Sequence, residues 1–271
     1  MDVLQRNHVV MEGDGTPPLV FAHGYGCDQQ MWRFVAPAFT DMHQVVLFDH
    51  VGCGRSDLRA WSESRHGRLD GYAQDLVEIL DAADLRDAVL VGHSVSSMIV
   101  MLAARLRPER VGALVMVTPS PRYLDDPPEY RGGFARADIE GLLDMIEHNM
   151  IGWADFLAPA VMGADSTPEL TDELRASFCA LDPVIARRFA EVTFLGDNRA
   201  DLPQVRHPTL VLQVEHDAIA PAAVGQYVHA QVSGSQLVRI DGAGHCPHMT
   251  HPEATIAALR GFLAERASGP R

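Results

Sequence analysis

Short apolar runs recur along the chain at Leu19–Ala22, Val45–Phe48, Ala88–Val91, Ala113–Val117, Thr209–Val214 and Gln236–Ile240. They are rich in Val and Leu and do not strictly alternate with polar residues. A strand covered on one face alternates, whereas a strand buried on both faces does not, so these runs predict the strands of a sheet with layers on either side. Helical periodicity lies between several of them. Residues Leu69–Ala83 place Tyr72, Leu76, Ile79 and Leu80 on one stripe, and Ser96–Leu106 is apolar nearly all round, as a helix packed centrally against a sheet must be. Ala254–Ala267 is a further amphipathic stretch near the C-terminus. Strands alternating with helices predict an α/β fold with a mainly parallel sheet flanked by helices.

The rhythm breaks between about Ser120 and Pro203. Four helix-like blocks follow one another there, near Ala137–Asn149, Trp153–Met162, Pro168–Ala180 and Pro183–Phe194, and no strand pattern interrupts them. Pro121, Pro127–Pro128 and Gly132–Gly133 mark the entry. A connection of this length without packing of its own is uncommon in a compact domain. The expected organisation is therefore a core made of residues 1–119 and 204–271, with a four-helix cap at 120–203 inserted between two strands. Helices that merely flank the sheet are the alternative. The last residues, Ala267–Arg271, are expected to fray.

Chemistry concentrates where apolar runs end. In Val89-Leu-Val-Gly-His-Ser-Val-Ser-Ser97 a serine follows a strand and precedes a helix. A sharp strand-to-helix turn lifts such a hydroxyl above the sheet and points the helix N-terminus at any oxyanion formed there. The usual pattern is Gly-x-Ser-x-Gly; Gly92 and Ser94 fit it, and Ser96 replaces the second glycine. Serine needs a base, and the base needs an orienting carboxylate. In this architecture they follow in the order Ser, acid, His. Asp217, in Gln213-Val-Glu-His-Asp-Ala-Ile-Ala-Pro221, lies just past a strand; Glu215 and Asp241 are its rivals. His245, in Asp241-Gly-Ala-Gly-His-Cys-Pro-His248, follows the last strand on a glycine-bearing loop, with His248 and His251 as competitors. The spacing of these three histidines around Cys246 also admits a metal cluster, a weaker reading because no second set of ligands closes the site. His93 is expected to be a core or surface residue. The oxyanion donors expected are the backbone N–H of Val95 and that of Tyr25 in His23-Gly-Tyr-Gly26. A second glycine cluster, Gly52-Cys-Gly-Arg-Ser56, lacks the spacing of a dinucleotide site and reads as a tight turn.

Composition narrows the options. The 271 residues are 47% hydrophobic and 21% charged, with a formal net charge of −14. Such an acidic balance argues against nucleic acid and against docking on anionic membranes. The four cysteines, Cys27, Cys53, Cys179 and Cys246, form no disulfide framework, which suits a reducing compartment. Met1–Gly13 has no basic segment followed by an apolar stretch, and no run of apolar residues is long enough to span a bilayer. The expectation is a cytoplasmic protein without a metal or organic cofactor.

Taken together the motifs resemble the α/β-hydrolase superfamily across nearly the whole chain. Phe48–Asp57, Leu69–Asp75, Gly92–Ser96, Pro119–Phe134, Asp182–Arg187 and Gly244–Met249 are similar more narrowly to the RsbQ-like group, hydrolase-fold regulators of the bacterial sigma-B stress response, to which the plant strigolactone and karrikin receptors are related. The resemblance implies a triad of Ser94, Asp217 and His245 under a four-helix cap, a small hydrophobic ligand, and a signalling role with a PAS-domain phosphatase as partner. It further implies a pocket lined by Tyr25, Phe134, Trp153, Phe156 and Phe194, each of which could equally be plain core packing. Tyr25 departs from the phenylalanine common at that loop.

Two functions are therefore expected, and they are compatible, since a slow hydrolase can be a sensor; the favoured expectation is a serine hydrolase acting in signalling. One is a serine hydrolase of a small hydrophobic ester or lactone, working through an acyl-enzyme. The other is a ligand-sensing module that turns over slowly or not at all and signals through its cap. A serine nucleophile speaks against dehalogenation, whereas lyase and peroxidase chemistry stay open.

Overall fold

The computed structural model describes residues 2–268. In chain order the elements are α1 (Val3–Arg6), β1 (Val10–Glu12), β2 (Leu19–Ala22), β3 (Val45–Phe48), α2 (Glu63–His66), α3 (Leu69–Ala82), β4 (Ala88–His93), α4 (Val95–Leu106), β5 (Val111–Val117), α5 (Arg136–His148), α6 (Met150–Met162), α7 (Pro168–Cys179), α8 (Pro183–Phe194), β6 (Thr209–His216), α9 (Ala222–Gln231), β7 (Gln236–Ala243), α10 (Pro247–Thr250) and α11 (Pro252–Ser268). Ala267 and Ser268 complete α11 rather than fraying, and Gly269–Arg271 of the expected tail lie outside the described residues.

The seven strands form one sheet in the order β1-β3-β2-β4-β5-β6-β7. Only β1 runs antiparallel, against β3; all other pairings are parallel. All six residues of the central strand β4 are buried, as its lack of alternation predicts. The register sets Ala22 beside Gly92, His93 beside Val117, and His216 beside Ala243. Consequently β2, β4, β6 and β7 end at one edge of the sheet. The loops carrying Tyr25, Ser94, Asp217 and His245 all leave from that carboxyl edge, where open α/β sheets bind ligands.

Sequence periodicity misses the three short helices α1, α2 and α10, and with them a strand and a longer helix. Strand β1 is a three-residue edge strand with a largely exposed pattern, too short to show a period. Helix α9 buries Val224, Gly225 and Val228 amid alanines, leaving little apolar contrast between its faces.

Helices α5–α8 pack on one another between β5 and β6. They lead in through an irregular segment in which Leu124 bridges Phe134 and Asp126 bridges Tyr130. The block meets the core through Tyr25, whose ring lies 5.9 Å from Trp153, 5.5 Å from Phe189 and 5.9 Å from Phe194. Two hydrogen bonds fasten the same loop: Tyr25 OH donates to Ala186 O at 2.9 Å, and Ser177 Oγ donates to Gly26 O at 2.7 Å.

The Gly52–Ser56 cluster is a turn folded around a buried carboxylate. Asp49 accepts from the backbone N–H of Gln29 at 2.9 Å and of Arg55 at 2.8 Å. Gly54 sits at φ +53°, and a Cβ there would approach the Asp49 carboxylate to 2.6 Å. Gly54→Ala is expected to destabilise the protein by about 1–3 kcal/mol, from left-handed strain and displacement of Asp49. Urea unfolding checks this; an unchanged midpoint would show that the turn relaxes freely.

Candidate active site

Ser94 stands alone between β4 and α4, at φ +57° and ψ −123°. That backbone conformation is disfavoured for a residue with a side chain. It is held by Ser94 N–H donating to Val117 O at 2.8 Å. Gly92 makes room for the turn, since a Cβ there would lie 2.3 Å from Ser96 O. Position 96 has a use for its side chain. Ser96 Oγ donates to His23 O and accepts from His50 Nε2 at 2.8 Å. His50 N–H in turn donates to His23 Nε2 at 3.0 Å, and His23 Nδ1 donates to Gly24 O at 2.8 Å. A serine in the glycine's place thus fastens the elbow to the loop after β2.

The residues expected to act with Ser94 lie against it. His245 Nε2 is 2.8 Å from Ser94 Oγ, and His245 Nδ1 is 2.7 Å from Asp217 Oδ2. The other Asp217 oxygen accepts from the backbone N–H of Ile219 at 2.8 Å and of Ala220 at 2.9 Å. Three fixed donors leave this buried carboxylate one orientation. The rivals Glu215 and Asp241 are exposed. The imidazole is placed by its own backbone: His245 N–H donates to Val161 O at 2.7 Å, while His245 O accepts from Thr118 Oγ1 at 3.0 Å and from His93 Nε2 at 2.9 Å. Gly244, at φ +109°, is needed because a Cβ would meet Met162 O at 2.2 Å. The glycine serves close docking of α6 on this loop.

Tyr25 and Val95 are both buried, and among the described residues neither backbone N–H donates to a protein acceptor. Val95 is the first residue of α4, so its N–H is one of the unpaired donors at a helix start. Two free donors flanking a nucleophile can hold an oxyanion.

Above Ser94 lies a narrow cavity with about 30 Å³ of free space for the centre of a water molecule. Tyr25 and Phe194 line it, together with Tyr123, Leu157, Phe178 and Cys246. Three of the expected lining residues do not. Phe156 is 63% exposed on α6, because its side chain points away from the face that buries Trp153 and Leu157. Trp153 is fully buried but stands behind Phe178, at 4.8 Å between rings. Phe134 is half-buried beside the core, its backbone bridging Leu124. A wider groove of about 490 Å³ adjoins this cavity and shares Cys27 and Leu174 with it. Tyr123 is the contact that the sequence reading missed: its hydroxyl is 3.1 Å from Ser94 Oγ. No spacing rule marks it, because it lies in an irregular loop.

The histidines considered as a metal cluster part company. His245 faces Asp217 and Ser94, and His251 Nε2 faces Asp165 at 3.2 Å. His93, Cys246 and His248 do converge, with one donor atom of each within 4.8 Å of the others. However, His93 Nε2 is the donor to His245 O, with Cys246 Sγ 3.9 Å from the same nitrogen. A cation taking that nitrogen would break a bond that holds His245. Burial pushes the titration of His23, His50, His93 and His248 down, for His248 to about 3, and the neighbouring His245 adds to the effect on both His93 and His248. Burial likewise pushes the Cys246 thiol up. These groups surround the site as neutral side chains.

The family profile for the alpha/beta hydrolase fold matches residues 17–252. A strigolactone esterase of Pisum sativum is 36% identical over 97% of this chain and 98% of its own length. A karrikin insensitive 2 receptor of Petunia hybrida is 33% identical over 96% of both chains. Among solved structures, a hydrolase from Oleispira antarctica superposes with a TM-score of 0.95 at 43% identity, covering 97% of this chain and 96% of the other. The chain belongs to the α/β-hydrolase family.

The neutral histidines set an acid limit on stability. Unfolded histidines take up protons below about pH 6.5, and the folded His248 does so only near 3. The unfolded state therefore binds more protons in this window, and stability falls as pH drops from 6.5 toward 3. One such histidine costs about 2 kcal/mol at pH 5. Denaturant unfolding at pH 7 and pH 5 should show this loss, and His248→Phe should reduce it by about that amount. A variant with an unaltered pH dependence would mean that His248 is not held neutral.

Proposed function

We propose that this α/β hydrolase cleaves a small hydrophobic ester or lactone through an acyl-enzyme on Ser94. The relay from Ser94 Oγ through both nitrogens of His245 to Asp217, at 2.8 and 2.7 Å, carries the reading. Asp217 keeps the His245 proton on Nδ1 and leaves Nε2 bare. Nε2 takes the Ser94 proton as Oγ bonds to the carbonyl carbon, and the N–H groups of Tyr25 and Val95 receive the oxyanion. Collapse breaks the bond to the alcohol oxygen, which takes the proton from His245. Water then attacks the acyl carbon and gives its proton to Nε2. The second collapse releases the acid and returns the proton to Oγ. With a lactone, both halves leave as one hydroxy acid.

The narrow cavity favours a small, apolar acyl part, and the relative named a strigolactone esterase supports ester or lactone cleavage. In this reading residues 120–203 act as a cap on a core of 1–119 and 204–271. The four free cysteines, three of them buried, fit a reducing cytoplasm. Among the described residues no helix is long and apolar enough to cross a membrane.

A second reading makes ligand capture the output, with a PAS-domain phosphatase as the partner. It is favoured by the ties from Tyr25 to α8 and from Ser177 to Gly26, which join the helical block to the oxyanion loop. Differential affinity of a ligand for two positions of that block would then supply the signal. Calorimetric titration with a purified PAS-linked phosphatase, with and without an ester bound to Ser94→Ala, tests it; no ligand-dependent binding would remove this partner.

For the hydrolase reading, Ser94→Ala is expected to lower p-nitrophenyl acetate turnover by on the order of 10⁴-fold. Wild-type rates should fall as the acyl chain lengthens from acetyl to octanoyl. Activity retained by Ser94→Ala would sink the proposal.

A further inference from the structure

The Tyr123 hydroxyl is fully enclosed and has one hydrogen-bond partner among the described residues, the nucleophile oxygen at 3.1 Å. Its place is built rather than incidental. Phe134 N–H donates to Tyr123 O at 3.2 Å, Tyr130 OH donates to Arg122 O at 2.7 Å, and the Tyr123 ring packs on Phe194 at 5.1 Å. A Cβ on Gly132 would press to 2.4 Å from Tyr123 O, so the loop closes tightly behind it.

Counting protons gives the direction of this bond. Ser94 Oγ carries one proton, and with Asp217 on Nδ1 that proton points at the bare Nε2 of His245. Oγ can then only accept from Tyr123, and the phenol is the donor. Burial keeps the phenol protonated.

We infer that Tyr123 is a further catalytic residue, whose phenol stabilises Ser94 Oγ as the leaving group when the acyl-enzyme breaks down. The inference rests on the acyl-enzyme reading above. An ester oxygen is a weak acceptor, so Tyr123 contributes little to the acyl-enzyme itself. As the C–Oγ bond cleaves, Oγ gathers negative charge, takes the proton from His245 Nε2, and the donor bond strengthens. A bond stronger in the transition state than in the ground state accelerates the step. In the first attack the same donor draws electron density from the nucleophile, so the two effects partly cancel. Tyr123 thereby governs how long the acyl group stays, and hence whether the protein behaves as an enzyme or as a holder of its ligand.

Tyr123→Phe keeps the ring and its contact with Phe194, and thermal unfolding reports that it folds. Stopped-flow with p-nitrophenyl acetate on wild type, Tyr123→Phe and Ser94→Ala reads burst and steady state, while intact-protein mass spectrometry reads the acyl adduct. The expected result is a retained burst, an accumulating adduct, kcat down on the order of tenfold, and KM down with it, so that kcat/KM changes much less. A ring-fluorinated tyrosine at 123, a stronger donor of nearly the same shape, should shift kcat upward. Wild-type kcat without adduct in Tyr123→Phe would overturn the inference, as would an equal loss in kcat and kcat/KM without adduct, which would make Tyr123 a packing residue. An inactive Ser94→Ala beside an unaffected Tyr123→Phe overturns this inference alone. An active Ser94→Ala overturns the acyl-enzyme reading with it.

Discussion

The turn at Ser94 is the constraint on which the rest of the site depends. A non-glycine residue at φ +57° costs roughly 1–3 kcal/mol, and its surroundings must offset that. They do so by leaving the chain no other path. Ser94 N–H is held by β5, Ser97 Oγ donates to Gly92 O at 2.9 Å, and Gly92 leaves space for the helix turn above it. With β4 central in the sheet and buried along its length, the strand cannot shift to relieve the strain. The hydroxyl is thereby fixed in space, which is the preorganisation that the proposed nucleophile needs.

A fixed serine requires partners fixed with equal firmness, and the chain supplies them from distant segments. His245 is held through its carbonyl by Thr118 and His93, and through its N–H by the end of α6. The loop of Tyr25 is fastened to α7 and α8 through Ser177 and Tyr25. The helical block thus does more than roof the cavity. It holds His245 and the loop of Tyr25, so any displacement of its helices would reach Ser94 and its neighbours through named hydrogen bonds.

The polar interior around this machinery is neutral by burial. His23, His50 and Ser96 are joined in a chain of hydrogen bonds that leaves His50 Nδ1 without a partner among the described residues. His248 packs on Trp32, tilted at 34° with 4.4 Å between ring centroids, and among the described residues both its ring nitrogens lack partners. Low polarity strengthens every interaction among Asp217, His245 and Ser94. The same burial makes added protons costly, so the environment that sharpens the chemistry also limits the acid range in which the protein stays folded.

The amino-acid sequence by itself determined much of this. Buried strands announce themselves by unbroken apolar runs, and helices by their stripes, because those patterns follow from which faces must leave water. Ser94, Asp217 and His245 were legible because each sits just after a strand, where backbone geometry alone brings side chains to the sheet edge. What failed were features without a local period. Strand β1 is too short and α9 too evenly apolar to stand out. Phe156 looked like a pocket residue, yet its place on α6 turns it outward, a matter of helix rotation that composition does not carry. Tyr123 was invisible because an irregular loop brings it to Ser94 across 29 residues. Only the tertiary structure decided these, since the direction of a side chain on a packed helix or in a loop is set by contacts distant in sequence rather than by its neighbours along the chain.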